Sequence, residues 1–227
     1  MATAIWAQER PRPRGRSFNF ARQFHDRDSL ERDGFKLLFY SNAPAFDPDI
    51  KAAMFDTFFK VYPELVARFN PEAAKVVVFM VDTTYDGIAA TFGGIVRYNP
   101  QWFVKNPKDI DVVTHEVMHI VQSYGRNQVP GWVTEGIADY VRHKYGLHNP
   151  EAGWSLTPLR PDHKYTNSYR ITARFFVWLE NTKDPEIVTK LNRAASEDRF
   201  TDSIWEDLTG KSIDDLWQEY VKSADTN

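Results

Sequence analysis

The first half of the chain combines short apolar runs with one long amphipathic segment. Residues 35–41 (FKLLFYS) and 75–81 (KVVVFMV) are rich in aromatic and β-branched residues, which predicts two strands, the second buried in the centre of a sheet. Between them, residues 48–69 carry an apolar residue at every third or fourth position, which predicts a helix with one apolar face. Pro63 lies inside this pattern, and we expect it to kink or divide the helix.

A further strand region, residues 88–98, is interrupted by Gly93-Gly94. A glycine pair marks either a bulge where another backbone comes close, or a plain hairpin turn. The first alternative would provide an edge strand to which an extended peptide adds by main-chain hydrogen bonds. The pattern leaves both alternatives open.

The second half of the chain has helical periodicity. Asn106-Pro107 is a suitable helix start, and we expect Gly125 and Gly146 to end two successive helices in left-handed conformations. Three more helices are predicted over 169–181, 185–195 and 212–223, the last with a Ser-x-x-Asp cap. Strands followed by helices predict an α+β fold, strand-rich over 34–105 and helical over 106–227.

The most informative motif is His115-Glu116-Val117-Met118-His119. On a helix, residues four apart share one face, so both imidazoles can bind one Zn²⁺ and leave positions open for a third ligand and a water. Glu116 is then placed to accept a proton from that water rather than to bind the metal. The alternative is two solvated histidines on the surface of an amphipathic helix.

A second acidic segment follows after a turn. A catalytic zinc with two histidines commonly takes a carboxylate as its third protein ligand, and Glu135 suits this role if its helix folds back on the first. Asp139 lies one turn further, on the same face, where it can accept the free N–H of a ligand histidine. The alternative is an ordinary acidic helix start, which explains one carboxylate but not a second among Ile137, Ala138 and Tyr140.

The run Glu135-Gly-Ile-Ala-Asp-Tyr140 after a His-Glu-x-x-His helix resembles the basic secretory protein family of plants and bacteria, a group of presumed zinc peptidases. Residues 169–176 (YRITARFF) and 208–217 (LTGKSIDDLW) resemble that family as well, and the similarity extends from about residue 35 to 220. The resemblance implies a zincin-like fold, a small mixed sheet with an active-site helix followed by a helical C-terminal part. It also implies that Glu135 is the third metal ligand, in the gluzincin-like position, and that Asp139 supports the metal ligands without binding the metal.

The composition and net charge of the chain exclude several classes of binding partner and metal site. The chain has 227 residues, which suits one domain with a substantial core, and its net charge of −3 provides no clustered basic footprint for nucleic acid. It has no cysteine, which excludes disulfides, thiolate metal sites and a cysteine nucleophile. No apolar run reaches the roughly 18 residues of a membrane span. We expect a monomer that acts on a peptide or protein substrate.

Residues 1–33 are predicted to be a leader, extended or disordered. Thr3 to Gln8 has the shape of a trimmed signal peptide but lacks a charged start and a full apolar core. Residues 9–16 are rich in Pro and Arg, which is typical of a solvated segment. A secreted or periplasmic location is the expectation.

For catalysis, zinc on His115, His119 and Glu135 predicts peptide-bond hydrolysis with Glu116 as general base. The oxyanion needs a further donor, for which Tyr169 is the candidate; the alternative is a core or capping aromatic, with His143 and His163 as weaker donors.

Substrate selection is less defined by the sequence. Trp132 and Trp154 are candidates for a specificity pocket, and no charged clamp for a free terminus is evident. A competing hypothesis is a zinc-binding protein of the same fold that acts as a non-catalytic interaction module. An amidase or another metal hydrolase of non-peptide bonds is a third alternative, because the same water chemistry serves them.

Overall fold

The computed structural model describes residues 24–125 and 129–224. Within them a five-stranded sheet is followed by a helical part, which confirms the predicted α+β class. The strands are β1 (Asp26–Arg32), β2 (Phe35–Ser41), β3 (Val76–Val81), β4 (Ala89–Phe92) and β5 (Ile95–Tyr98). The helices are α1 (Pro48–Phe69), α2 (Pro100–Lys105), α3 (Val112–Gln122), α4 (Gly131–Tyr145), α5 (Tyr169–Thr182), α6 (Ile187–Ser196), α7 (Ile204–Thr209) and α8 (Ile213–Ala224).

The sheet is mixed, with strand order β1-β2-β3-β5-β4. β2, β3 and β5 run parallel, whereas β1 and β4 are antiparallel to their neighbours at the two edges. β3 is central, as predicted from its continuous apolar run. Helices α1 and α3 cover one face of the sheet, and the hydrophobic core includes buried residues of the sheet and of both helices.

Strand β1 corrects the predicted leader. Residues 26–32 pair along their whole length with β2, so they belong to the folded domain. The turn is Asp33-Gly34, and both residues have positive φ, 50° and 78°. This is the Asp-Gly signature of a two-residue hairpin, which a polar strand such as β1 (DRDSLER) conceals because it lacks apolar alternation. The predicted signal-peptide remnant and the Pro/Arg-rich segment lie outside the described residues.

Gly93-Gly94 forms a plain hairpin turn between β4 and β5, the second of the two alternatives. Gly93 adopts φ +59°, which favours glycine. β4 is nevertheless the edge strand of the sheet, and it lies against α3. An edge next to the candidate metal helix is therefore present.

Helix α1 is a single helix across Pro63, so the prediction of a division is wrong. Its N-cap, Asp47, accepts hydrogen bonds from the N–H groups of Asp49 and Ile50. Buried neighbours of the proline, among them Tyr62 and Leu65, pack in the core. Their burial outweighs the backbone hydrogen bond that the proline omits.

The predicted start of the metal helix is also wrong. Asn106 ends α2, and α3 begins at Val112 after Asp111. The Asn-Pro signature occurs four times, at 70–71, 99–100, 106–107 and 149–150. Only Asn99-Pro100 starts a helix, with Asn99 accepting from the N–H of Gln101. α2 and α7 are short helices that the periodicity did not predict.

The two predicted glycine caps need correction as well. Ser123, with φ 44°, takes the left-handed position at the end of α3, and Gly125 lies two residues beyond it. Gly146 does end α4, but in an extended conformation. A side chain at Gly146 would lie 2.4 Å from the carbonyl oxygen of Arg142, so close packing explains this glycine. By contrast, the Ser212 cap of α8 is confirmed, since its Oγ accepts from the N–H of Asp215.

Helices α4 and α5 pack closely at Gly136, next to the candidate ligand Glu135. A Cβ at this position would lie 2.4 Å from Cγ2 of Thr172 and 3.0 Å from the ring of Phe176. Glycine thus permits an approach that a larger residue excludes.

We expect Gly136→Ala to lower the free energy of unfolding by about 1–3 kcal/mol, because the two helices must separate to admit a methyl group. Chemical denaturation measures the change. Gly131→Ala is the matched control, since a Cβ there meets nothing within 4 Å. Equal effects of the two substitutions would show that close packing at Gly136 is unimportant.

Within residues 24–125 and 129–224, no helix has both the length and the apolar character needed to cross a bilayer.

Candidate active site

Helix α3 carries the His-Glu-x-x-His motif through the protein interior. All but one of its residues are buried, and His115 and Glu116 are only 8 % and 6 % exposed. Valines and isoleucine fill the sides that face the sheet and α1. This burial contradicts the alternative of two solvated surface histidines, because polar groups are rarely buried without partners.

Helix α4 brings Glu135 to the two histidines. The His115 and His119 Nε2 atoms lie 3.2 Å apart, and Oε2 of Glu135 lies 3.2 Å from the first and 3.6 Å from the second. Ligand atoms that bind zinc tetrahedrally at about 2.0–2.1 Å lie about 3.3 Å from one another. The predicted triad therefore has the spacing and the donor types of a zinc site, and these three residues form a group able to hold a metal ion.

Each histidine is oriented by a partner on its other ring nitrogen. Asp139 lies 2.7 Å from Nδ1 of His115, the contact predicted from its position one turn after Glu135. Gln122 holds His119 in the same way, with Oε1 2.7 Å from Nδ1. When Nδ1 carries the proton and donates it, Nε2 is free to bind a metal.

Gln122 is a further candidate site residue, which the sequence pattern did not indicate. Its amide nitrogen donates to the carbonyl oxygen of Thr134, 2.8 Å away, so it ties α3 to the residue before Glu135. The signal for it was its position three residues after His119 on the same helix face.

Without a metal, the ligand cluster is held together by charge. Burial by itself would lower the pKa of His115, but hydrogen bonds to Asp139 and Glu135 outweigh it and raise this pKa to about 10. Burial would likewise raise the pKa of Glu135, but hydrogen bonds from His115 and His119 hold it well below its usual range. A positive charge is thus favoured at the point where a divalent cation would bind.

The carboxylate of Glu116 does not join this cluster. It accepts a hydrogen bond of 2.7 Å from the hydroxyl of Thr91, which also contacts the carbonyl oxygen of Glu116 at 3.0 Å. Thr91 belongs to the edge strand β4, which the sequence did not connect with α3. The predicted base is therefore fixed from the edge of the sheet.

Tyr169 lies over the site, at the start of α5. Its ring stacks on that of His115, with centroids 6.2 Å apart and planes inclined by 18°, and it is 53 % exposed. Ser168 and Tyr169 both have positive φ, 65° and 49°, a rare conformation that concentrates at functional sites. Burial and the nearby carboxylates of Glu135, Asp139 and Glu116 raise the pKa of its phenol, which keeps it a hydrogen-bond donor.

Four other residues were candidates for the site, two tryptophans and two histidines, and one of them lines it. Trp154 contributes to the cavity of about 600 Å³ that contains His115, Glu116, Glu135 and Tyr169. Trp132 instead stacks with Trp205 and contacts Phe176 and Tyr165, so it serves packing. His143 lines another cavity. His163 accepts from the N–H of Arg160 in the loop before α5.

A mixed sheet, a buried helix with His-Glu-x-x-His and a glutamate from the next helix define the zincin-like class. The family described as "Peptidase of plants and bacteria" (BSP) matches residues 33–220. The chain belongs to this family, which confirms the resemblance inferred from residues 135–140.

One similar solved structure is a crystal structure of a two-domain M1 zinc metallopeptidase mutant bound to the amino acid L-tryptophan. It is 12 % identical, with a TM-score of 0.46, and the match covers 83 % of this chain and 45 % of that one. The present chain thus spans less than half the length of that protein, and a similarity this low carries no residue roles across. No curated protein matches the chain.

Proposed function

We propose that this chain is a zinc-dependent peptidase that hydrolyses peptide bonds with Glu116 as general base. The observation that carries the proposal is the triangle of His115, His119 and Glu135, whose ligand atoms are 3.2–3.6 Å apart. Membership of a peptidase family supports the reaction class. A peptide or protein substrate, a monomeric state and a secreted or periplasmic location stay predictions.

The donor set suits zinc better than magnesium or calcium. Two imidazoles and one carboxylate are the protein ligands of the His₂Glu class, whereas Mg²⁺ and Ca²⁺ prefer all-oxygen sites. When bound, zinc would polarise the substrate carbonyl and lower the pKa of a coordinated water. The hydrogen bonds from Asp139 and Gln122 would keep both imidazoles in the required tautomer.

Glu116 would move the proton. Its carboxylate, held by Thr91, accepts a proton from the attacking water as the oxygen forms its bond to the carbonyl carbon. It then donates this proton to the nitrogen as the C–N bond breaks, which releases a neutral amine. The carboxylate is restored for the next cycle.

Tyr169 would donate a hydrogen bond to the oxygen on which negative charge develops. Its position over His115 and the raised pKa of its phenol support this role. β4 would bind the substrate in extended form, because an edge strand has free main-chain groups. Because Thr91 is part of β4, the same strand would bind the substrate and hold the general base Glu116.

Hydrolysis of casein or gelatin tests the proposal. We expect cleavage by the zinc-loaded protein, loss of cleavage after treatment with a chelator, and recovery when zinc is returned. Cleavage that persists without metal would contradict a zinc mechanism. Tight binding of a polypeptide without turnover would instead favour the non-catalytic module.

A further inference from the structure

The cavity at the predicted metal ligands lies next to a second cavity of about 410 Å³. Four residues line both cavities: Trp102, Asp109, Trp154 and Arg170. The second cavity is therefore adjacent to the place where the reacting bond of a substrate would lie. The chemistry of the shared wall determines which residue fits there.

Two indole rings of this wall are fixed by an ion pair. Arg142, which is 6 % exposed, pairs with Asp109, and its guanidinium lies 4.5 Å from the centre of the Trp154 ring. Asp109 also accepts a hydrogen bond of 2.9 Å from Nε1 of Trp102. Asp109 and Arg142 thus neutralise each other while they hold both tryptophans, which makes this part of the wall rigid and apolar.

Arg170 lines the same wall but has a different environment. Among residues 24–125 and 129–224, it has no hydrogen-bond or ion-pair partner. The other charged residues of the second cavity are Lys108 and Glu151, apart from the paired Asp109. In the second cavity two cations, Arg170 and Lys108, therefore accompany one carboxylate outside the Asp109–Arg142 pair, Glu151, and the guanidinium of Arg170 is available to a ligand.

We propose that the second cavity is a substrate subsite for a residue that carries a carboxylate. Arg170 binds this carboxylate, because a guanidinium matches it with two parallel N–H donors, and the indoles of Trp102 and Trp154 contact the methylene groups. This proposal rests on the function proposed above. The carboxylate belongs either to an Asp or Glu side chain or to the C terminus of a peptide.

Paired hexapeptides test the subsite and separate these two sources. One series is capped at both ends and carries Glu or Gln at each position in turn; the other compares a free C-terminal carboxylate with an amide. We expect kcat/KM to be about tenfold higher for the carboxylate member of one pair. Arg170→Gln should remove this preference, so that the carboxylate and amide members of that pair are cleaved with equal kcat/KM.

Arg174→Gln is the matched control. It removes the same charge one turn later on α5, where the side chain lines another cavity, and should retain the preference. A preference among capped peptides assigns the site to an acidic side chain, and one between free and amidated peptides assigns it to the terminus. No preference, or one that Arg170→Gln leaves intact, would overturn the proposal.

Binding of the same peptides to zinc-loaded Glu116→Gln, measured by calorimetry, keeps the two proposals separate. If the wild type cleaves no peptide, the proposed peptidase function is wrong. The difference in affinity between the paired peptides then still tests whether the second cavity binds a carboxylate. Equal affinities would count against it.

Discussion

Glu116→Gln is expected to lower kcat by about 10²- to 10⁴-fold, the usual contribution of a general base, while the protein keeps one zinc per chain. The amide retains the size of the side chain and can still accept a hydrogen bond from Thr91, but it cannot take a proton. Because Glu116 lies outside the ligand triangle, metal affinity should not change. Peptide hydrolysis and elemental analysis of the same preparation measure both quantities.

Thr91→Val is the companion variant, since it keeps the carboxylate and removes the hydroxyl that fixes it. We expect kcat to fall by about tenfold, which corresponds to one lost hydrogen bond to a charged group, with KM unchanged. Substantial hydrolysis by Glu116→Gln would remove Glu116 from the mechanism. A loss of zinc from that variant would place it among the ligands instead.

The predicted site residues meet because their positions depend on helical periodicity, which is a local property. His115 and His119 are four positions apart, as are Glu135 and Asp139, so each pair shares a face once the two helices are present. The contacts of Glu135 with both histidines and of Asp139 with His115 follow from this spacing and from the return of α4 against α3. The fold class followed from equally local patterns of apolar runs.

Contacts between distant segments could not be predicted in this way. Thr91 reaches Glu116 across 25 positions, and nothing in the AATF sequence of β4 distinguishes its threonine from an ordinary strand residue. The role proposed for Arg170 likewise depends on the pairing of Asp109 with Arg142, which leaves Arg170 without an ion-pair partner among the described residues. Such roles are set by which partners neighbouring side chains find, and this is a property of the folded state.

Local signals failed where several segments carried the same signal. Asn-Pro pairs occur at 70–71, 99–100, 106–107 and 149–150, and only the pair at 99–100 starts a helix. Asp111, before α3, uses its carboxylate to accept from the N–H of Leu147 and from Thr114, so it also anchors the segment after α4. A capping motif shows that a helix can start at a position, whereas tertiary hydrogen bonds decide where it does.

Glu135→Ala should weaken zinc binding by more than the roughly 10- to 100-fold that is typical when a supporting residue is lost. The reason is that it removes one of three protein ligands and the single negative charge among them. It should also leave His115 and His119 without the carboxylate that lies within 3.2 and 3.6 Å of their Nε2 atoms. Competition with a chromogenic chelator measures the affinity.

Asp139→Asn provides the graded comparison, because it keeps all three ligands and changes only the partner of His115 Nδ1. Its affinity should fall by roughly 10- to 100-fold, less than that of Glu135→Ala. Unchanged zinc affinity in Glu135→Ala would show that another group completes the site, and the triangle would then be an ion-paired cluster. An equal loss in both variants would assign Glu135 the same supporting role as Asp139. The order of the two affinities therefore decides whether α4 contributes a metal ligand or only a neighbouring charge.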